Sequence, residues 1–243
     1  MKFDVLLLKH PDTPLKGTTR GGEEYDIDRL DELTEEAEAA SKDEIYKSID
    51  LLINDIYGPN DIKYVLMGGI AMQLYGYSDR ETTDSDMIVS VNSRDMLEKI
   101  KDHPDITRPN TMLSLSGALR IFINIEEQQV EADLFVQGNE MAPSLDDAQE
   151  IDGYNVLGLV SLLKSKLKRM ERKDKEDIMW FIDEKGSDVS DVADDIDKDR
   201  RIEFAQEVMD NEDIDEADDE NGRMKLVRET FKLEKKDVYD DDD

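Results

Sequence analysis

The stretch that most constrains the fold joins two apolar runs through a pair of glycines and a short helical segment. Residues 64–67 read Tyr-Val-Leu-Met and predict a buried strand. Gly68 and Gly69 follow directly, and Asp84 and Asp86 lead into a second apolar run. The order predicts a strand, a turn, a short helix and a second strand that begins with two carboxylates.

These residue types favour a particular chemistry at that place. Glycines let a backbone approach a ligand closely, and a helix beginning there directs free N–H groups at it, which suits phosphate. Asp84 and Asp86 project from the same face of their strand, because alternate strand residues do so. Two close carboxylates repel each other unless a cation lies between them, and oxygen ligands suit Mg²⁺. The pattern therefore predicts a site for Mg²⁺ and phosphate.

Composition limits the classes of protein to which the chain can belong. The 62 acidic residues outnumber the 31 basic ones, which gives a net charge of -31. Such a surface repels nucleic acids and anionic membranes as a whole, although a local basic pocket is compatible with it. The chain has no cysteine, which excludes disulfides and thiolate metal sites. No apolar run is long enough to span a membrane, so we expect a soluble cytoplasmic protein.

Changes in pattern divide the chain into three parts. We expect an N-terminal extension at residues 1–41, a central domain at 42–185 and an acidic extension at 186–243 that is helical or disordered. The central domain opens with apolar residues at helical spacing over 45–56, with Ser41 or Asp43 as the helix cap. Met96, Leu97 and Ile100 predict another helix, capped by Asn92 or Ser93.

A hairpin is predicted in the middle of the chain. Residues 119–125 and 130–136 are apolar runs on either side of the polar turn at 126–129. Asp133 lies within the second run and is a candidate third carboxylate beside the two aspartates of the earlier strand. Glu131 shares its face and competes for that role, and a simple strand-edge charge is the alternative for Asp133.

A later helix places a lysine among apolar residues. The helix is expected to begin near Val156, and Lys166 falls on its buried side. A buried lysine needs a partner, which either a phosphate or an acid can supply. Asp174 and Asp177 follow; a structural ion-pair role is the alternative to a functional one. The bases around Lys166 either contact RNA or form a solvated helix face.

Together these features resemble a known group of enzymes. The glycine pair, the pattern Arg80-x-Thr82-x-Asp84-x-Asp86, the later aspartate and the helical lysine resemble the polymerase-beta-like nucleotidyltransferase superfamily. Within it, the chain is similar to the AbiEii-type minimal nucleotidyltransferases, a branch that includes toxins of toxin–antitoxin pairs. The resemblance covers roughly residues 42–184 and implies an α/β (α+β) fold with a small mixed sheet flanked by helices.

The resemblance also implies roles for individual residues. Asp84, Asp86 and Asp133 would be catalytic and would bind two Mg²⁺ ions. The implied nucleotide-binding residues are Gly68, Gly69, Arg80, Thr82 and Lys166, of which Arg80 and Thr82 could instead only fix the loop. Asp174 and Asp177 would support the lysine. The chain departs from the family at Ser85, where an apolar residue is usual, and at Gly69, where many members have serine.

The implied activity is transfer of a nucleoside monophosphate from an NTP, such as ATP, to a hydroxyl group. A tRNA end, a protein or a small molecule could supply that hydroxyl, and a toxin-like member would have an antitoxin partner. Two alternatives belong to other classes. One is a catalytically silent relative that binds a nucleotide or a protein, which the departure at Ser85 favours. The other is an acidic interaction protein that acts through its tails.

Overall fold

The structure covers most of the chain and divides into two compact units. The computed structural model describes residues 22–110, 118–136, 143–212 and 222–239. The apolar run at residues 3–8, whose sequence predicts a strand, lies outside the described residues. Of the described residues, the sheet unit contains 22–74, 78–110, 118–136, 143–145 and Glu150–Val156. The helical unit contains Tyr75–Tyr77, Asp146–Gln149, 157–212 and 222–239.

Eight strands form one mixed sheet in the order β1-β4-β5-β6-β3-β2-β8-β7. Pairing is parallel for β1–β4, β3–β6 and β2–β8, and antiparallel for β2–β3, β4–β5 and β5–β6. The strands are β1 (Glu24–Tyr25), β2 (Tyr64–Met67), β3 (Asp84–Val89), β4 (Ile106–Pro109), β5 (Ala118–Ile125), β6 (Gln128–Val136), β7 (Ala148–Ile151) and β8 (Tyr154–Leu157). The mixed sheet flanked by helices confirms the predicted fold class.

Four helices accompany the strands of the sheet unit, and their caps explain where they begin. They are α1 (Ile27–Ala37), α2 (Lys42–Leu51), α3 (Gly68–Leu74) and α4 (Ser93–Ile100). Ser41 and Glu44 form a reciprocal capping box at α2, and the Asn92 side chain caps α4. In both cases one of the two predicted caps is the residue used. After α2 the chain continues as a π-helix, Leu52–Tyr57.

The two faces of the sheet differ in character. One face carries the main hydrophobic core, in which Ile121, Leu134 and Met87 from β5, β6 and β3 are fully buried together with Ile49 of α2 and Met96 of α4. Because side chains alternate along a strand, the residues between these ones point to the opposite face. The acidic residues of β3 and β6 lie on that second face.

The N-terminal helix packs on the second face. Leu33 and Ala37 of α1 are buried with Tyr25 of β1 and Phe122 of β5 in a small separate cluster. Tyr25 and Phe122 meet edge to face with ring centroids 5.4 Å apart. The described residues of the predicted extension 1–41 thus belong to the sheet unit. The domain boundaries at 41 and 185 stay a prediction.

Helices make up most of the helical unit. They are α5 (Leu159–Arg169), α6 (Arg172–Val192, kinked at Lys185), α7 (Lys198–Glu212), α8 (Arg223–Thr230) and α9 (Lys235–Val238). The helix expected to begin near Val156 begins at Leu159 instead, because Val156 pairs with Leu66 of β2 as part of β8. Over the described part of residues 186–243 the acidic extension is mainly helical.

Among the described residues, no helix combines the length and the apolar character that crossing a membrane requires.

Candidate functional site

Four carboxylates meet where β3 and β6 run side by side. The parallel register places Asp84 opposite Glu131 and Asp86 opposite Asp133. Residues two apart on a strand share a face, so all four side chains project from the second face of the sheet. The aspartates of β3 are half-buried, whereas Glu131 and Asp133 are buried. The three predicted aspartates are therefore brought together, with Glu131 as a fourth acid.

Gly68 allows one of these aspartates to lie against the backbone. Its φ angle of +62° is in the left-handed region, which glycine adopts readily. A Cβ atom at this position would lie 1.9 Å from Asp86 Oδ2, far inside contact distance. The turn between β2 and α3 therefore requires glycine both for its conformation and for the position of the Asp86 carboxylate.

The second glycine makes room for a residue that orients Asp84. A Cβ atom on Gly69 would lie 2.6 Å from Thr82 Oγ1. The Thr82 hydroxyl donates a hydrogen bond of 2.9 Å to Asp84 Oδ1. Gln73 of α3 donates a bond of 2.6 Å to the carbonyl oxygen of Arg80 and so holds the loop that precedes β3. The bond from Thr82 is compatible with the loop-fixing interpretation of that residue, whereas the bond to Arg80 involves only its backbone. The role of the Arg80 side chain stays a prediction.

Arg120 is the residue of this cluster that sequence reasoning missed. Its Nε and guanidinium nitrogen donate to the two oxygens of Asp133 at 2.9 Å each, and Nε lies 3.0 Å from Glu131 Oε1. Two parallel bonds to one carboxylate fix its orientation. The Tyr25 hydroxyl donates to the Arg120 carbonyl oxygen at 2.9 Å. The signal lay in the hairpin, since counting back along β5 and β6 from the turn pairs Arg120 with Asp133.

Charge and burial have opposing effects on this cluster. Burial raises the pKa of Glu131 to about 7; the Arg120 charge opposes this, while the Asp133 and Asp84 charges add to it. Burial lowers the pKa of the Arg120 guanidinium, but its hydrogen bond to Asp133 and the two acidic charges outweigh burial and raise it overall. The arginine is therefore charged at all accessible pH values.

The fit of this site to a metal depends on which carboxylates are considered. Within residues 22–110, 118–136, 143–212 and 222–239, no three Asp, Glu, His or Cys side chains are arranged to hold a metal ion. Both oxygens of Asp133 already accept bonds from Arg120. Asp84 and Asp86 nevertheless supply the donor type that suits Mg²⁺, which binds one or two protein carboxylates and keeps several waters. The donor set at the start of β3 thus fits Mg²⁺.

Lys166 finds an acidic partner inside the helical unit. Its side chain is 1% exposed, and its Nζ lies 2.5 Å from Asp177 Oδ2 and 3.7 Å from Asp174 Oδ1. Arg169 donates two bonds to Asp174, of 2.6 and 3.0 Å. An acid, one of the two partners expected for a buried lysine, is therefore in contact with Lys166. This network joins α5 to α6, which is the structural role weighed for Asp174 and Asp177.

The predicted site residues therefore fall into two groups. In the sheet unit, the glycines, the loop residues and the aspartates form one contiguous arrangement. Its members are Gly68, Gly69, Arg80, Thr82, Asp84, Asp86 and Asp133. In the helical unit, Lys166, Asp174 and Asp177 form a separate buried network. The proposed contact of Lys166 with a triphosphate stays a prediction.

Comparison with known proteins gives structural neighbours only. No protein-family model matches the chain, and no curated protein matches it. The chain is similar in structure to an antigenic nucleotidyltransferase-like protein from Paracoccidioides brasiliensis, with 20% identity, a TM-score of 0.41 and coverage of 57% of this chain and 73% of that one.

Two solved structures from Helicobacter pylori are also similar. A candidate nucleotidyltransferase has 14% identity, a TM-score of 0.45 and coverage of 79% of this chain and 93% of that one. The protein JHP933 has 16% identity, a TM-score of 0.46 and coverage of 79% and 90%. With identities of 20% or less and TM-scores below 0.5, these similarities do not establish membership of a family.

Proposed function

We propose that this chain is a Mg²⁺-dependent nucleotidyltransferase, which moves a nucleoside monophosphate from an NTP to a hydroxyl acceptor and releases pyrophosphate. The observation that carries the proposal is the parallel register of β3 and β6, which aligns Asp86 with Asp133 beside Asp84. The glycine turn lies against the same carboxylates. The resemblance at the level of motifs supports the same activity.

The residues of the carboxylate cluster and Thr82 each have a distinct part in this proposal. Asp84 and Asp86 would hold Mg²⁺, with Thr82 fixing the orientation of Asp84. Asp133 would face the acceptor hydroxyl, and Arg120 keeps its carboxylate in a single orientation. When bound, Mg²⁺ would offset the charge of the triphosphate and favour ionisation of the hydroxyl. The chemistry requires no covalent enzyme nucleophile, in keeping with a chain that lacks cysteine.

The acceptor is proposed only by class. A tRNA end, a protein hydroxyl and a small molecule all provide the required group, and a toxin-like role with an antitoxin partner follows from the resemblance. The net charge of -31 disfavours an extended nucleic-acid footprint. A short contact at one RNA end is compatible with that charge.

A transfer assay with labelled nucleotides tests the proposal. The protein is incubated with each α-labelled NTP and Mg²⁺ in the presence of total RNA, of the protein itself or of a metabolite extract. We expect label to reach one acceptor class with the wild type, and Asp84→Asn/Asp86→Asn to lower the rate at least about 100-fold. Asp195→Asn/Asp199→Asn, which removes the same charge from two exposed positions, serves as control. Equal rates for wild type and the β3 variant would refute the proposal.

One observation favours a catalytically silent relative as the second candidate. Arg120 forms ion pairs with both Asp133 and Glu131, so two of the four acids of the cluster already have a structural partner within the protein. Calorimetry separates the two functions. Nucleotide binding that does not change with Mg²⁺, together with no transfer to any acceptor class, would support the silent alternative.

A further inference from the structure

A cavity in the helical unit has the composition of a ligand site. Its volume is about 650 Å³, within the range of about 300–1,000 Å³ that is usual for small-molecule pockets. Met179 and Val208, both buried, provide apolar surface, and Tyr77 and Trp180 add two aromatic rings. None of these residues takes part in the carboxylate cluster or in the Lys166 network.

The two aromatic rings form a preassembled stacking platform. Tyr77 and Trp180 lie parallel within 3°, with their centroids 4.9 Å apart, and both side chains are half-buried. Gly76 precedes Tyr77 with a φ of +113°, a conformation that brings the chain back over α6 and that other residues rarely adopt. Phe181 is fully buried, and its ring packs edge to face against Trp180. The platform is thus held in place before any ligand binds.

The rim of the cavity carries charged side chains of both signs, and two of its bases form ion pairs, Lys175 with Glu207 at 2.6 Å and Arg223 with Asp183 at 3.2 Å. Arg172, Lys175 and Arg223 line it together with two acids, Glu176 and Asp183. The Arg172 side chain is 84% exposed, and its contact with Glu176, at 3.2 Å, is a surface ion pair between residues four apart on a helix. Such pairs contribute little to stability and rearrange at low cost. The Arg172 guanidinium can therefore leave Glu176 and reorient towards an anionic group on a ligand.

We propose that this cavity binds a nucleotide, with the base stacked on the platform of Tyr77 and Trp180 and the phosphate held by Arg172. Flat heteroaromatic rings suit an aromatic platform, and every base offers a face for stacking. Guanidinium groups match phosphate geometry through paired hydrogen bonds. The binding itself is argued from the cavity alone, and only a part for this site in nucleotidyl transfer rests on the proposed transferase activity.

The single tryptophan makes the binding directly measurable. Trp180 is the only one in the chain, so incorporation of 5-fluorotryptophan gives one ¹⁹F resonance inside the cavity. The full chain is titrated with AMP, GMP, CMP and UMP in EDTA, and separately with inorganic phosphate. We expect a saturable shift of the resonance with at least one nucleotide and none with phosphate alone. No saturable shift with any of the four would overturn the proposal.

Substitutions then locate the binding. Tyr77→Ala should weaken binding at least about tenfold through loss of stacking, while Tyr77→Phe should retain it. Arg172→Gln, at an exposed position that folding does not require, should weaken nucleotide binding several-fold. Tyr46→Ala, which disturbs an aromatic pair in the sheet unit, is the matched control and should change nothing. Unchanged affinity in both Tyr77→Ala and Arg172→Gln would overturn the proposal.

The two proposals fail in different ways. Asp84→Asn/Asp86→Asn should abolish transfer and leave the ¹⁹F titration in EDTA unchanged. A wild type that transfers nucleotides but shows no saturable shift would refute the cavity site alone. A saturable shift in a protein that transfers nothing would refute the transferase activity alone.

Discussion

Gly68 shows how much of the candidate site depends on one missing methyl group. Gly68→Ala should strain a backbone with φ +62° and also push Asp86 out of place, since the new Cβ would collide with its carboxylate. Positive φ by itself costs about 1–2 kcal/mol for an L-residue. We expect a greater loss of stability than that, together with loss of transfer activity, measured by urea unfolding and the labelled-nucleotide assay.

Gly153 provides the matched control for this substitution. Its φ is +84°, but a Cβ there would meet nothing within 4 Å. Gly153→Ala should therefore show the backbone cost alone and keep full activity. Equal losses for the two variants would contradict the proposed contact between Gly68 and Asp86.

Ser85 carries a hydroxyl that has no partner in the described part of the structure. It is fully buried between the two aspartates of β3, on the core face of the sheet. An unsatisfied buried polar group costs about 1–3 kcal/mol. Ser85→Ala should accordingly raise the free energy of unfolding by about 1 kcal/mol. Ser48→Ala, which removes a buried hydroxyl that donates to Ile45 at 2.7 Å, should give no such gain.

Glu131 should make stability depend on pH. Its pKa is about 7 in the folded protein and 4.5 ordinarily, so the folded state keeps a proton that the unfolded chain loses between these values. The free energy of unfolding should therefore fall as pH rises from about 4.5 to about 7, by at most about 3 kcal/mol, and change no further above that.

Substitution with glutamine isolates this contribution. Urea midpoints at pH 5 and pH 8 in EDTA should differ less in Glu131→Gln than in the wild type. Glu127→Gln, at an exposed turn position, should keep the wild-type difference. An unaltered pH profile in Glu131→Gln would show that the buried carboxyl has an ordinary pKa.

At the scale of elements, α1 is an integral part of the sheet unit. Leu33 of this helix is 1% exposed. Leu→Ala substitutions at such buried sites cost about 2–5 kcal/mol of stability. Leu33→Ala should therefore lower the free energy of unfolding by about 2–4 kcal/mol. Ile27→Ala in the same helix should cost below about 1 kcal/mol, because Ile27 is 38% exposed. If Leu33→Ala and Ile27→Ala both lowered the free energy of unfolding by a similarly small amount, α1 would not be packed on the sheet.

The elements that could be predicted from the sequence are those with a strong repeating pattern. The strands β2, β3, β5 and β6 are apolar enough to identify, and Ser41 and Asn92 mark helix starts. The strands β1, β4, β7 and β8 have two to four residues each, and β7 is largely exposed. Segments so short have no period to detect, and β2, which also has four residues, stands out only because all four are apolar. The pairing of the other short strands is decided by distant partners.

The candidate site was predictable in part for the same reason. The spacing of Asp84 and Asp86 places both on one face without any knowledge of the neighbouring strand. Arg120 could be placed only from the exact register of the hairpin. The partner of Lys166 also required the structure, since a phosphate and an acid satisfy a buried lysine equally well in a sequence pattern.

For the whole molecule, the net charge of -31 sets the response to salt. Acidic groups twice as numerous as basic ones repel one another more strongly in the compact state than in the unfolded chain. Raising NaCl from about 0.01 to about 0.5 M shortens the screening length severalfold. We expect the urea midpoint to rise over this range, and a constant or falling midpoint would contradict a repulsion-limited stability.

The turn at Glu126 and Glu127 limits the insertions and deletions that the chain can tolerate between β5 and β6. Both residues are exposed and have positive φ, and the two-residue connection sets the pairing of Ile125 with Gln128. Surface turns ordinarily tolerate insertions and deletions. Here a single added residue would shift the register and turn the side chains of β6 to the opposite face. Homologues with the same chemistry should therefore conserve the length of this turn more strictly than its residues.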